Sequence, residues 1–113
     1  MAQPKVSILI SFYNLAPYVD KTMETVLAQK TNFPFEVICA DDGSSDDTVA
    51  KLRVWEEKYP NIVRIFVMDR DPNVKYEATA RIQRMNAILL DITLRHLQNA
   101  GQHARRRVDH QLI

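Results

Sequence analysis

The chain reads as an α/β domain whose core is a parallel βαβαβ sheet with flanking helices. Three observations predict it. Three short, β-branched apolar runs recur along the first 68 residues, two stretches with helical periodicity separate them, and turn-forming residues mark the junctions.

The first strand is Val6-Ser7-Ile8-Leu9-Ile10-Ser11, closed by Asn14 and Pro17. From Tyr18 to Gln29, Val19, Met23, Val26 and Leu27 fall on one helical face, and Pro17 suits a first turn, where its missing N–H costs nothing. Phe35 through Ala40 is the second strand. Asp46 to Tyr59 is the second helix, with Val49, Leu52, Trp55 and Tyr59 as its buried stripe and Ser45 or Asp46 as its cap. Ile62 through Met68 is the third strand, followed by the turn-rich Asp69-Arg70-Asp71-Pro72-Asn73.

A third helix is expected from about Glu77 to about Asn99. Its stripe is Ile82, Met85, Ile88, Leu89 and Ile92, and Leu90, Leu94 and Leu97 widen it, so burial on more than one side is expected. Gly101 ends that helix in this reading, and residues 102–113, with Arg105-Arg106-Arg107, form a frayed basic tail. The domain is thus 1–99, a Rossmann-like unit, and 100–113 is disordered.

With 113 residues the chain can bury one core, and 46% apolar with 26% charged residues argues against disorder. A net charge of +1 gives no attraction for nucleic acid, and no nucleic-acid partner is expected. Cys39 has no internal disulfide partner and reads as a small buried side chain in a reducing compartment. The apolar runs are too short to span a membrane and the polar start lacks a signal-peptide core, so a cytoplasmic location is expected, with peripheral attachment to the inner membrane face as its variant.

Two polar clusters leave neighbouring strands at the sheet edge where α/β proteins bind ligands. After the first strand come Ser11, Phe12, Tyr13 and Asn14. A tyrosine there can offer its ring to a nucleobase, while Ser11 and Asn14 offer hydrogen bonds. After the second strand come Asp41, Asp42, Gly43 and Ser44, whose carboxylates can accept a pyrimidine N–H or ribose hydroxyls. Each cluster alone reads as well or better as a cap or an Asp-Gly turn. Together they converge on one crevice.

At these residues the chain resembles the amino-terminal half of the family 2 glycosyltransferases, inverting enzymes of the GT-A fold. The resemblance is carried by Val6 to Asn14, by Tyr18-Val19 opening a helix that ends Val26-Leu27-Ala28-Gln29, and by Phe35 to Thr48. It implies a partial GT-A domain that binds a nucleoside-diphosphate sugar, a UDP-sugar foremost. The base and ribose would lie against Ser11, Tyr13, Asn14, Asp41, Asp42, Gly43 and Ser44, with Asp42 the base contact. It also implies a basic residue near the start of the third helix, a role for Arg81 or Arg84, although either reads first as a solvated helix face. Asn86-Ala87-Ile88-Leu89 is loosely similar to the family's Asn-x-Gly-Leu segment.

The family's next strand, ending in an Asp-x-Asp that holds Mg²⁺ or Mn²⁺, and its general base have no counterpart after the third helix. Asp69-Arg70-Asp71 spells Asp-x-Asp but follows the wrong strand and reads as a turn, so no metal ligand is assigned. The resemblance thus implies a divalent ion and a saccharide or lipid-linked acceptor for the intact enzyme, and a truncated or altered, inactive chain here. The alternative is a non-catalytic module that self-associates or binds a partner through residues 77–99. A phosphate-receiving signalling domain fits poorly, because its acidic pair should follow the first strand.

Overall fold

A computed structural model describes residues 3–71, 73–75 and 78–111, with 78–80 and 101–111 described by their backbone alone. The elements are β1 (Val6–Phe12), α1 (Ala16–Leu27), β2 (Phe35–Asp41), α2 (Thr48–Lys58), β3 (Val63–Val67) and α3 (Ala78–Gln111). All three strands pair in parallel in the order β1-β2-β3, as the alternation of strands and helices predicts. The register sets Ile8 beside Val37 and Val37 beside Val63, and Phe12 beside Asp41 and Asp41 beside Val67. The carboxyl ends of the strands therefore finish level.

Because side chains alternate along a strand, β2 serves two different layers. One face carries Val37 and Cys39, which pack with Phe12 and Val63 against Val19 and Met23 of α1 and Leu52 of α2. Trp55 of α2 stacks on Tyr59 at 6.1 Å and donates its Nε1–H to Asp20 of α1 at 2.9 Å, joining the two helices. Cys39 is fully buried, and that burial, with the charge of Glu56 adding to it, pushes its thiol up to about 12. Its Sγ donates to Met23 Sδ at 3.8 Å. It is an apolar core residue.

The other face carries Glu36, Ile38 and Arg64, and α3 lies over it with Ile88, Ile92 and Arg95. Here the long apolar stripe resolves into two sides. Met85, Ile88 and Ile92 are half-buried, whereas Ile82, Leu89, Leu90, Leu94 and Leu97 are exposed. A three-stranded sheet is too narrow to cover more of the helix, so Ile82 and Leu89 fall outside the buried stripe expected for them.

The α3 backbone also continues through Gly101 to Gln111 rather than ending near Asn99 in a disordered tail. Glycine inside a helix costs only about 1 kcal/mol relative to alanine, and the Ala, Gln and Arg residues around it are good helix formers. No helix among the described residues is long and apolar enough to cross a membrane.

Candidate functional site

The level strand ends bring the two polar loops side by side. Asp42 N–H donates to Phe12 O at 2.9 Å and Met68 N–H to Asp41 O at 2.8 Å, so the ladder persists to the edge. Beyond it the chain turns twice through left-handed backbone, at Asn14 (φ 50°) and Gly43 (φ 79°). Asparagine tolerates that region better than most side chains, and glycine occupies it freely. Gly43 has a second reason to lack a side chain: a Cβ there would sit 2.6 Å from Arg70 Cγ and 3.1 Å from Met68 O.

Four of the sequence-predicted residues build the floor of the site. Fully buried Asp41 accepts the N–H groups of Gly43 (3.0 Å) and Ser44 (2.8 Å) on one oxygen and the Ser44 hydroxyl (2.5 Å) on the other. Ser44 Oγ in turn accepts Asn14 N–H at 2.8 Å, and Asn14 Oδ1 accepts Ser45 N–H at 2.8 Å. The polar groups of Asn14, Asp41 and Ser44 thus staple one loop to the other.

Asp46 extends the staple to both helices. Its carboxylate accepts Thr48 N–H (3.0 Å) and Oγ–H, and Ala16 N–H (3.2 Å), serving the first turns of α2 and α1. It does so from the position before the α2 N-cap, Asp47, which makes no side-chain cap bond, and Ser45 is not the cap. The Thr48 hydroxyl, helped by the N–H groups of Thr48 and Ala16, holds the Asp46 carboxyl below the usual carboxylate range.

Above this floor Ser11, Tyr13, Leu15, Asp42, Arg81 and Met85 line a groove of about 400 Å³. The carboxylate of Asp42, itself 5% exposed, is met by three guanidinium groups. Arg70 Nη2 lies 2.8 Å from Oδ2, Arg84 Nε 3.1 Å from Oδ1 and Arg81 Nε 3.8 Å from Oδ2. Arg70 Nε–H also donates to Asp42 O, and Arg84 Nη2 to Asp69 O at 2.8 Å. The cations of Arg70 and Arg81 lie over the Tyr13 ring, 4.0 and 4.4 Å from its centroid, a cation–π arrangement.

Ser11, Tyr13, Asp42 and Arg81 therefore meet at one groove. Of the two arginines read as a solvated helix face, Arg84 turns inward to the buried charge of Asp42, while Arg81 stays partly exposed at the rim and reaches the same carboxylate at 3.8 Å. Arg70 was hidden in what reads as a turn. Its signal was position, since it follows the third strand on the same edge as the other two clusters.

Chemically the groove offers an acceptor for N–H or hydroxyl donors, an aromatic surface and cations for an anionic group. It does not suit a divalent cation, because the carboxylate within it already neutralises guanidinium groups. Among the described residues no three His, Cys, Asp or Glu side chains cluster as metal ligands.

Comparison with known proteins agrees with this geometry. The family model for glycosyl transferase family 2 matches residues 7–85, which contain both loops and all three arginines. The chondroitin synthase of Pasteurella multocida (strain Pm70) is 40% identical over 53 residues, covering 47% of this chain and 6% of that protein. The chondroitin synthase of Escherichia coli is 39% identical over 72 residues, 63% of this chain and 10% of that protein. The chain thus corresponds to a small part of these relatives. The mannosyltransferase PcManGT of Pyrobaculum calidifontis, solved in complex with GDP-Man and Mn²⁺, shares the fold with a TM-score of 0.54 at 24% identity, over 84% of this chain and 25% of that one. With three parallel strands, helices on both faces and polar loops gathered at one edge, the chain belongs to glycosyl transferase family 2.

Proposed function

We propose that this chain binds the nucleotide part of a nucleoside-diphosphate sugar, a UDP-sugar foremost, as the donor half of an inverting glycosyltransferase acting on a saccharide or lipid-linked acceptor. One observation carries the reading: a buried carboxylate and an aromatic ring share the same two arginines, Arg70 and Arg81, beside an open groove. In that groove Asp42 accepts the base N–H or a ribose hydroxyl, Tyr13 packs against the nucleoside, and Arg81 faces the phosphates. The GDP-Man complex of the mannosyltransferase supports a nucleotide-sugar donor. Ser11 adds a hydroxyl at the rim, and Asn14, Asp41, Gly43 and Ser44 hold the loops in place. The transfer step is assigned to no residue of this chain.

Calorimetric titration with UDP, and separately with GDP, each with and without Mn²⁺, tests the proposal. Saturable heat with UDP is expected, stronger than with GDP. A folded sample giving no heat with either nucleotide overturns the reading, and a preference for GDP overturns its base assignment.

A second reading rests on the exposed Leu90, Leu94 and Leu97 of α3: self-association, or binding of a partner, through that helix. Sedimentation separates the two readings, since a strict monomer removes self-association and leaves nucleotide binding untouched.

A further inference from the structure

Glu36 is a charged residue only 3% exposed, on the α3 side of β2 and at the opposite end of that strand from Asp42. Three other elements meet on it. Ser7 of β1 donates its hydroxyl to Oε1 at 2.8 Å, Arg95 of α3 forms an ion pair with the same oxygen, and Arg64 Nε of β3 lies 3.7 Å from Oε2. His96 Nε2 lies 2.7 Å from Ser7 Oγ. A hydroxyl has one proton, and Ser7 gives it to Glu36, so His96 is the donor and its Nε2 carries hydrogen. The Ser7–His96 contact is therefore a structural strut, not a nucleophile with its base.

A buried ion pair is a poor source of stability, because desolvation offsets most of the attraction. What it supplies is direction. Ile88 and Ile92 pack on the same side as Ile38, but apolar attraction is non-directional and distinguishes neighbouring registers less sharply than a charged pair does. The spacings on the two elements match. From Glu36 to Asp42 is six residues on one face of β2, about 20 Å at a strand's rise. From Arg95 back to Arg84 and Arg81 is eleven and fourteen residues, about three and four helical turns, or roughly 17 and 21 Å along one stripe of α3.

We propose that Glu36 is a positioning residue: by holding Arg95 it sets the register of α3 on the sheet, so that Arg81 and Arg84 arrive at Asp42. The inference rests on the donor-site reading for its functional consequence, but its geometric core can be tested without any nucleotide.

The experiment compares Glu36→Gln, Glu36→Asp and Arg95→Gln with the parent chain by the side-chain Nε–Hε NMR signals of Arg81 and Arg84, with the Kd for UDP as second readout. Trp55 fluorescence reports the remote α1–α2 face and serves as the folding control. Glu36→Gln should move the Arg84 signal toward that of a solvent-exposed arginine and weaken UDP binding by about tenfold. Glu36→Asp, which keeps the charge, should restore both. Arg95→Gln cuts the same ion pair from the helix side and carries the test if Glu36→Gln does not fold. Unmoved Arg81 and Arg84 signals in a folded variant overturn the proposal. If the parent chain fails to bind UDP while those signals still move, the donor reading falls and the positioning role stands.

Discussion

On the face of the sheet covered by α1 and α2, Val37, Cys39 and Val63 are buried among Val19, Met23 and Leu52, while on the face under α3 the buried carboxylate of Glu36 meets Arg64 and Arg95 and, at the edge, that of Asp42 meets Arg70, Arg81 and Arg84. Burial of apolar area is nondirectional and supplies most of the folding free energy. Charged pairs in a partly buried layer supply little net stability but fix orientation. One side of this molecule is therefore built to keep it folded, and the other to hold groups in particular places. Mutations on the two sides should fail in different ways.

The largest effect is expected in the core. Leu52 is fully buried, and Leu52→Ala should cost about 2–5 kcal/mol in urea unfolding, through lost transfer free energy and the cavity left behind. A loss below about 1 kcal/mol, the range of tolerated swaps, would mean that α2 is not the principal cover of that face.

Next comes Arg81, whose side chain is 43% exposed. Arg81→Ala should leave unfolding within about 0.5 kcal/mol of the parent, as for most surface changes. It should weaken UDP binding on the order of tenfold, the scale of one cation–π contact plus one charge-assisted bond. A variant that loses stability instead of affinity would erase the distinction between the faces.

Much of this was legible in the sequence, and the reasons differ by element. The strands and the first two helices announce themselves because β-branched runs and the Val19–Met23–Val26 and Leu52–Trp55–Tyr59 spacings are local signals. The site loops were legible because Asp41 to Ser44 and Ser11 to Asn14 leave neighbouring strands. What each residue does there was not, because Asn14 and Asp41 look as fit for a ligand as for a loop staple. Only coordinates show their polar atoms spent on Ser44 and Ser45. Arg70 is easy to miss because Asp69-Arg70-Asp71 reads as a turn, and only its position after the third strand points to the site. The α3 backbone runs past Gly101 because a glycine ends a helix only where the chain after it leaves the helix.

The smallest expected effect concerns the loop staple that lies between the two faces. The Asp46 carboxyl is held low in the fold, so its contribution is present above the unfolded carboxylate value of about 4 and is lost as pH falls through the lower folded value. Asp46→Asn removes that dependence. The stability gap between parent and variant should therefore shrink between pH 6 and pH 2 in denaturant titrations, and a gap that holds constant across that range would assign the staple to Thr48 and Asn14 alone.

If the α3 side of the strand ends forms one nucleotide cradle, NMR shift changes during a UDP titration should map to it alone. Saturable changes are expected at Ser11, Tyr13, Asp42 and Arg81, with Val19, Met23 and Leu52 unmoved. Changes scattered over both faces, or none at Tyr13 and Asp42 in a folded sample, would contradict it.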